Sequence, residues 1–313
     1  MKNNLKTLGL VCLAAILFSS LFISCGSGAE TPSPTAPLTI TDQLGRVVTL
    51  ETTNPQRIVS LAPANTEILF ALGLGDKVVG VTDYSDYPPE ALEKPNVGRY
   101  DVPNIEMILA ADPDLILADS IHQSEIIPQL ESHGLTVVTI APATFDEIFD
   151  SIRMVGEITG TAAKAEELLD DMEARVEAIT AKTANLPESE RTSVFYLVWH
   201  DPLMTSGGDT LINEMIEIGG GRNIFEDTSG AAMVELEELI ARNPQVIIAG
   251  VGMGLDVETT MQVFQSEPRL AETDAMKNGR VYGIHLDISG RTGPRIVEGL
   301  EAFAKAIHPE LFQ

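Results

Sequence analysis

The chain has 313 residues, with 46 acidic against 20 basic side chains, 44% apolar residues and only 5% aromatics. That length accommodates two α/β units with real cores, and the apolar fraction excludes a disordered chain. A formal charge of −26 excludes nucleic acid as a partner, because binding phosphate requires a basic surface.

Lys2 and Lys6 precede an apolar run from Leu8 to Ile23. The run falls short of the roughly 20 residues that a spanning helix needs, and it suits the core of a signal peptide. It closes on Phe22-Ile23-Ser24-Cys25, which resembles a bacterial lipobox whose cysteine becomes the lipidated first residue. Cys12, the other cysteine, lies inside the run, so the mature chain would hold no disulfide. Residues 1–24 therefore read as a removed signal, and 25–37, rich in Gly, Ser, Thr and Pro, as a lipid-anchored tether. The expected location is the extracytoplasmic face of the bacterial cell membrane, periplasmic or at the cell surface.

Next, Leu38–Thr41 and Val47–Leu50 flank Asp42-Gln43-Leu44-Gly45-Arg46, a hairpin pattern. Strands are expected at Ile58–Leu61, Val78–Val81, Leu115–Ala118 and Thr136–Ile140, and helices near Ala64–Leu72, Asn104–Ala110, Gln123–His133 and Phe145–Ile158. Short apolar strands between helices predict parallel βαβ units. From Thr161 to about Ala184 there is no Gly or Pro, and Leu168, Leu169, Met172, Val176 and Ile179 recur at helical spacing. One long helix should lie there, with strands following at Val194–Trp199, Val246–Ala249 and Val281–Ile284 and a last helix from about Pro294 to Ile307. The expected division is an N-terminal α/β lobe over 38–158, a connecting helix within 159–186 and a C-terminal α/β lobe over 187–313.

The lobes echo each other. Ile105–Ala118 aligns with Leu236–Ala249, each a short helix, an Asp-Pro or Asn-Pro stop and an apolar strand. Two similar lobes joined by one helix leave a cleft, where small ligands bind. Glu106 and Glu237 match in the repeat and would present one carboxylate per lobe to a symmetric, basic partner.

Nucleophile-elbow, zinc-protease and nucleotide-loop patterns are missing from the sequence, and Gly250-Val251-Gly252-Met253-Gly254 reads as a strand-end turn. Of the five histidines (His122, His133, His200, His285 and His308), His122, His200 and His285 fall near strand ends. With Asp119 or Asp287 they could hold a transition metal only if the fold made them converge. Tyr84, Tyr87 and Tyr100 cluster in one region, and the single tryptophan, Trp199, ends a strand in the other lobe. Such aromatics suit a large planar ligand.

Arg57-Ile58-Val59-Ser60-Leu61-Ala62-Pro63-Ala64-Asn65-Thr66-Glu67, with Asp83-Tyr84-Ser85-Asp86-Tyr87-Pro88-Pro89, closely resembles the cobalamin-binding proteins of bacterial ABC importers. So do Thr205-Ser206-Gly207, Gly220-Gly221-Arg222-Asn223-Ile224-Phe225 and Arg291-Thr292-Gly293-Pro294-Arg295-Ile296. The resemblance implies an α/β fold of two Rossmann-like lobes joined by a single long α-helix, the class III periplasmic-binding-protein fold, shared with haem and ferric-siderophore binders. It implies ligand contacts from Pro63, Ala64, Tyr84 and Tyr100, and from Asp287 and Arg291, whose guanidinium would suit a phosphate on a nucleotide tail. It also matches Glu106 and Glu237 to carboxylates that engage arginines of the permease. The sequence departs from the family pattern at Asp119, where cobalamin binders have Trp, at Met204, where they have Phe, at the small Gly230–Ala231, and at Gly219, which replaces a Cys. Trp199 and His200 are candidate replacement contacts, and a corrinoid with an altered lower base would suit a remodelled pocket.

The expectation is thus a non-enzymatic, monomeric lipoprotein without a cofactor of its own, capturing cobalamin or a related corrinoid for permease and ATPase subunits. Haem or a ferric siderophore is the alternative cargo. A metal-dependent enzyme using His122, His200 and His285, or a sensor lipoprotein, are the alternatives outside that role.

Overall fold

The computed structural model describes residues 37–252, 262 and 266–312. The signal, Cys12, Cys25 and all of the tether but Pro37 lie outside the described residues, as do Met253 and Gly254. No helix among the described residues is long and apolar enough to cross a membrane.

Leu38–Thr41 and Val47–Leu50 form the antiparallel hairpin, with Gly45 at φ 75° in the turn. Asp42 fastens it to the body: its carboxylate accepts from the backbone N–H of Leu44, Arg46 and Thr139 and from the Arg46 guanidinium.

Two four-stranded parallel sheets follow. The first runs in the spatial order Val78–Val81, Ile58–Ser60, Leu115–Ala118, Val137–Thr139; the second runs Gly221–Asn223, Thr192–Leu197, Val246–Val251, Val281–His285. Numbered along the chain within each lobe, both read 2-1-3-4, a doubly wound order with its switch point between strands 1 and 3. The central strands are buried along their length, as parallel strands covered on both faces must be.

The sequence repeat has a conformational counterpart. Helices Ile105–Ala110 and Leu236–Arg242 each precede strand 3 of their sheet. After them, Asp112 and Asn243 take the left-handed conformation, φ 47° and 43°, which Asp and Asn tolerate better than other non-glycine residues. A proline follows each and prevents the helix from resuming.

The connecting helix spans Ala162–Thr183, 22 residues, or about 33 Å at 1.5 Å per residue. Its buried Ala165, Leu169, Met172 and Ile179 belong to one continuous core that also takes in Ile58 and Leu117 of the first sheet and Val194 and Ile248 of the second. Separate apolar clusters cover the outer face of each sheet. Polar ties fix the helix to the C-terminal lobe: Thr183 Oγ1 donates to Ile218 O at 2.7 Å, and Arg175 pairs with Glu301 at 2.7 Å.

Three local expectations differ. The helix expected over Gln123–His133 is a 3₁₀ turn, Ser120–His122, followed by Ile126–Ser132. Pro128 lacks the N–H needed to bond one turn back, so it is accommodated only in the first turn. The strand expected to reach Trp199 stops at Leu197. Beyond it, Asp201-Pro202 turns the chain, and Trp199–His200, Leu203–Ser206 and Ala231–Met233 form a small antiparallel sheet. Helix Leu211–Ile218 and the short strand Gly221–Asn223 complete the C-terminal lobe; the sequence pattern was not read as either.

Candidate functional site

The carboxyl ends of both sheets open onto one cleft. In the first lobe, the chain leaving Ile58–Ser60 brings Ala62, Pro63 and Ala64 there, and the chain leaving Leu115–Ala118 brings Asp119. In the second, the corresponding exits bring Val198 and Trp199, then Gly252, then Leu286 and Asp287. Open α/β sheets place their ligand sites in this way. The cleft has two parts, about 670 and 390 Å³, which share Gly252, Leu286, Gly290 and Thr292. Each falls within the roughly 300–1,000 Å³ of ordinary small-molecule pockets, and their shared wall makes room for a larger ligand.

The smaller part gathers Pro63, Ala64, Tyr84, Tyr100, Asp119, Asp287 and Arg291, all named from the sequence. Tyr84 is 65% exposed and holds φ 67°, a strained conformation for an aromatic residue. Tyr100 is held through His122. Asp119 N–H donates to His122 Nδ1 at 3.0 Å, so the proton sits on Nε2, which donates to Tyr100 O at 2.6 Å. Burial, together with the nearby Asp119 carboxylate, pushes the pKa of the Tyr100 hydroxyl well above the usual phenol value. The Tyr100 and His122 rings meet edge to face. His122 is fully buried with both nitrogens engaged, so it positions the wall rather than offering a metal a lone pair.

The larger part is walled by the small antiparallel sheet. Trp199 pairs with Met204, and Met204 with Met233, which puts the three side chains on one face. Trp199, 41% exposed, lines the cleft; Met204 lies beside it on that face without being a lining residue. His200 is on the alternate face with Leu203, its buried Nδ1 unpartnered, and it does not line the cleft. Met233, 73% exposed, had no sequence signal beyond a short apolar triplet.

At the floor, the lobes are joined by charge. Arg295 Nη2 and Nε reach Glu67 at 2.6 and 3.1 Å, and its guanidinium stacks 3.8 Å from the Tyr87 ring centre. Arg291 lies 2.7 Å from Asp86, 2.7 Å from Asp287 and 3.4 Å from Glu67. It lines the cleft, but three carboxylates already surround the guanidinium that the sequence offered to a phosphate. Glu67 is 3% exposed, and burial pushes its carboxyl up despite both arginines. Glu67, Asp86 and Arg295 carry no sequence signal of their own as site residues, although all three fall within the quoted motifs. The nearest cue is Asn65-Thr66-Glu67, three adjacent polar residues in an otherwise apolar helix, all buried.

His285 lines the cleft, its Nδ1 accepting from Asp287 N–H at 3.2 Å. No group of three or more His, Cys, Asp or Glu among the described residues is arranged to hold a metal. Outside the cleft, Glu106 and Glu237 lie in the first turns of the two repeated helices, both exposed. Glu237 pairs with Arg269 at 2.6 Å.

Residues 58–287 match the model of the family described as periplasmic binding protein. The chain is 36% identical over 313 residues to YvrC of Bacillus subtilis (strain 168), named an uncharacterized ABC transporter substrate-binding lipoprotein, covering 96% of this chain and 97% of that one. Among solved structures it resembles the periplasmic vitamin B12 binding protein of Vibrio cholerae, with 29% identity and TM-score 0.71 over 83% of this chain and 99% of that one. It also resembles the apo periplasmic haem-binding protein RhuT of Roseiflexus sp. RS-1, with 27% identity and TM-score 0.72 over 82% and 99%. These neighbours share the class III architecture of two α/β lobes on one long helix. The chain belongs to the periplasmic binding protein family and is a solute-binding protein, not an enzyme.

Proposed function

We propose that this protein is the extracytoplasmic substrate-binding component of an ABC importer and that its cargo is cobalamin or a closely related corrinoid. The observation that carries the reading is the two-part cleft between the carboxyl ends of the sheets, with Tyr84, Tyr100 and Trp199 on its walls. A planar macrocycle with an appended tail needs adjoining compartments and aromatic surfaces, and Tyr and Trp supply both apolar area and a polar tip. The resemblance of the 57–67, 83–89 and 291–296 segments to cobalamin binders, together with the vitamin B12-binding neighbour, supports the same cargo. Glu106 and Glu237 would dock the two lobes onto the permease, and acylated Cys25 would hold the protein, acting as a monomer, at the membrane.

Titration calorimetry of the protein begun at Leu38 tests the cargo. One-to-one binding of cyanocobalamin with nanomolar Kd, about −12 kcal/mol, is the expected result. Binding of haemin with silence toward cyanocobalamin would move the cargo to haem, the reading that the RhuT likeness favours.

A further inference from the structure

We infer that the cleft selects cargo that presents hydrogen-bond donors and carries no net negative charge, with Asp119 the specificity-determining group on its N-terminal wall. The inference rests on the reading of this cleft as the cargo site and narrows the class of cargo that it admits.

Four observations converge. First, the Asp119 carboxylate accepts from Ser120 Oγ and Ile121 N–H, both through Oδ1. A carboxylate has about four acceptor positions, so at least one remains for a donor from the ligand. The neighbouring imidazole donor is spent, His122 Nε2–H on Tyr100 O. A ligand carboxylate arriving here would meet a like charge. Second, Arg291 is the only Lys or Arg lining either part of the cleft among the described residues, and Asp86, Asp287 and Glu67 surround it. Drawing it toward an anion would expose those carboxylates to one another. Third, His285 Nδ1 is occupied by the Asp287 N–H, with the Asp287 carboxylate 3.3 Å away. Fourth, Asp209, in the larger part, adds a further carboxylate, accepting from Ser229 Oγ and from Gly230 N–H at 2.6 Å. By sequence, the stretch from Met253 to Ser266 contains no Lys or Arg, so it brings no cation.

Tyr100 bears on haem as well. A phenolate is a ligand for ferric iron, and burial with the nearby Asp119 charge favours the protonated form of this hydroxyl. An amide-rimmed macrocycle meets the opposite situation, since its peripheral NH₂ groups are the donors that Asp119 lacks. Specificity of this kind comes as much from what is repelled as from what is held.

The test is calorimetry on the wild-type protein with neutral cyanocobalamin, with its monocarboxylates (one peripheral amide hydrolysed), with haemin, and with two ferric siderophores of opposite charge. The siderophores are cationic ferrioxamine B and an anionic ferric tris-catecholate. The expected result is that at least one monocarboxylate binds about tenfold or more weakly than its parent, and that Asp119→Asn, which keeps the side-chain oxygen that caps Ile121, narrows the gap. Monocarboxylates that all bind as tightly as cyanocobalamin would overturn the inference and leave the corrinoid reading intact. Silence toward cyanocobalamin with uptake of ferrioxamine B but not the catecholate would end the corrinoid reading and uphold the inference. Tighter binding of haemin or the catecholate than of every neutral and cationic probe would overturn both. The ligand series on the wild-type chain decides these outcomes even if the variant fails to fold.

Discussion

Tyr84 separates binding from folding more cleanly than any other residue of the site, because it is both exposed to the cleft and conformationally strained. At 65% exposure, a tyrosine of about 200 Å² has about 130 Å² left for a ligand to cover. Covering half to all of that area is worth about 1.6–3.3 kcal/mol at 25 cal/mol per Å², a loss of roughly 15- to 250-fold in affinity on truncation. Tyr84→Ala and Tyr84→Gly should lose affinity for cyanocobalamin alike. They should differ in stability, because φ 67° penalises alanine and not glycine. In urea unfolding Tyr84→Gly should therefore be about 1 kcal/mol more stable than Tyr84→Ala. An unchanged Kd in both variants would remove Tyr84 from the site. A glycine variant less stable than the alanine one would refute the strain.

Three further outcomes are expected. Asp42→Ala should cost about 3 kcal/mol in unfolding free energy, because it leaves the buried Thr139 N–H and the Arg46 guanidinium without their carboxylate. Burial acts to raise the Asp42 pKa, but hydrogen bonds from Arg46 and Thr139 outweigh it and hold it below the usual value. The stabilisation is therefore complete above that usual value of 3.8 and disappears as pH falls through the folded pKa; an acid unfolding midpoint unchanged in Asp42→Asn would contradict this. Glu106→Ala with Glu237→Ala should leave cargo affinity intact while abolishing stimulation of the transporter ATPase, and a normal response would defeat the docking assignment. Cys25→Ser should shift the protein from membranes to the soluble fraction, and continued lipid labelling would count against acylation at that residue.

Much of this fold was legible because its signals are local. Buried parallel strands such as Leu115–Ala118 are unbroken apolar runs, and the Gly- and Pro-free span after Gly160 has one regular solution, a helix. The Asp112 and Asn243 stops carry their own chemistry, so the repeat could be seen before the sheet order was known. The cleft was legible only in part: Tyr84, Tyr100, Asp119, Asp287 and Arg291 lie near strand ends or in quoted motifs and line its smaller part. The antiparallel sheet was obscured because its strands are two to four residues long, too short for alternation to register. That is why His200, adjacent to Trp199 in sequence, was offered as a ligand contact although it lies on the alternate face with Leu203. The Arg291 environment was hidden for another reason: Glu67 and Asp86 come from the opposite lobe, and no spacing within a segment reports on a pairing that only tertiary structure makes.

That cross-lobe pairing bears on how the protein moves. A cleft that closed by hinging would need lobes with separate cores, yet here one core runs from Ile58 through Met172 to Ile248. Glu67 adds a fixed charge contact across the same junction. Removing it isolates one arginine rather than two: Arg291 keeps Asp86 and Asp287 at 2.7 Å, whereas Glu67 is the only carboxylate at ion-pair distance from Arg295 among the described residues. Breaking a buried pair costs about 3–5 kcal/mol, and Arg295 is 15% exposed, so water partly replaces the lost carboxylate and the low end applies. Glu67→Ala should therefore destabilise by about 3 kcal/mol, and Glu67→Gln, which keeps an acceptor oxygen, by less. Because the core is shared, unfolding should remain a single transition, with Trp199 fluorescence, which reports the C-terminal lobe, coinciding with far-ultraviolet circular dichroism, which reports both. A loss below about 1 kcal/mol would show that Glu67 behaves as a solvated surface pair. Non-coincident transitions in the wild-type protein would show instead that the lobes fold as separate units, and the case for a stiff, barely closing cleft would fail with them.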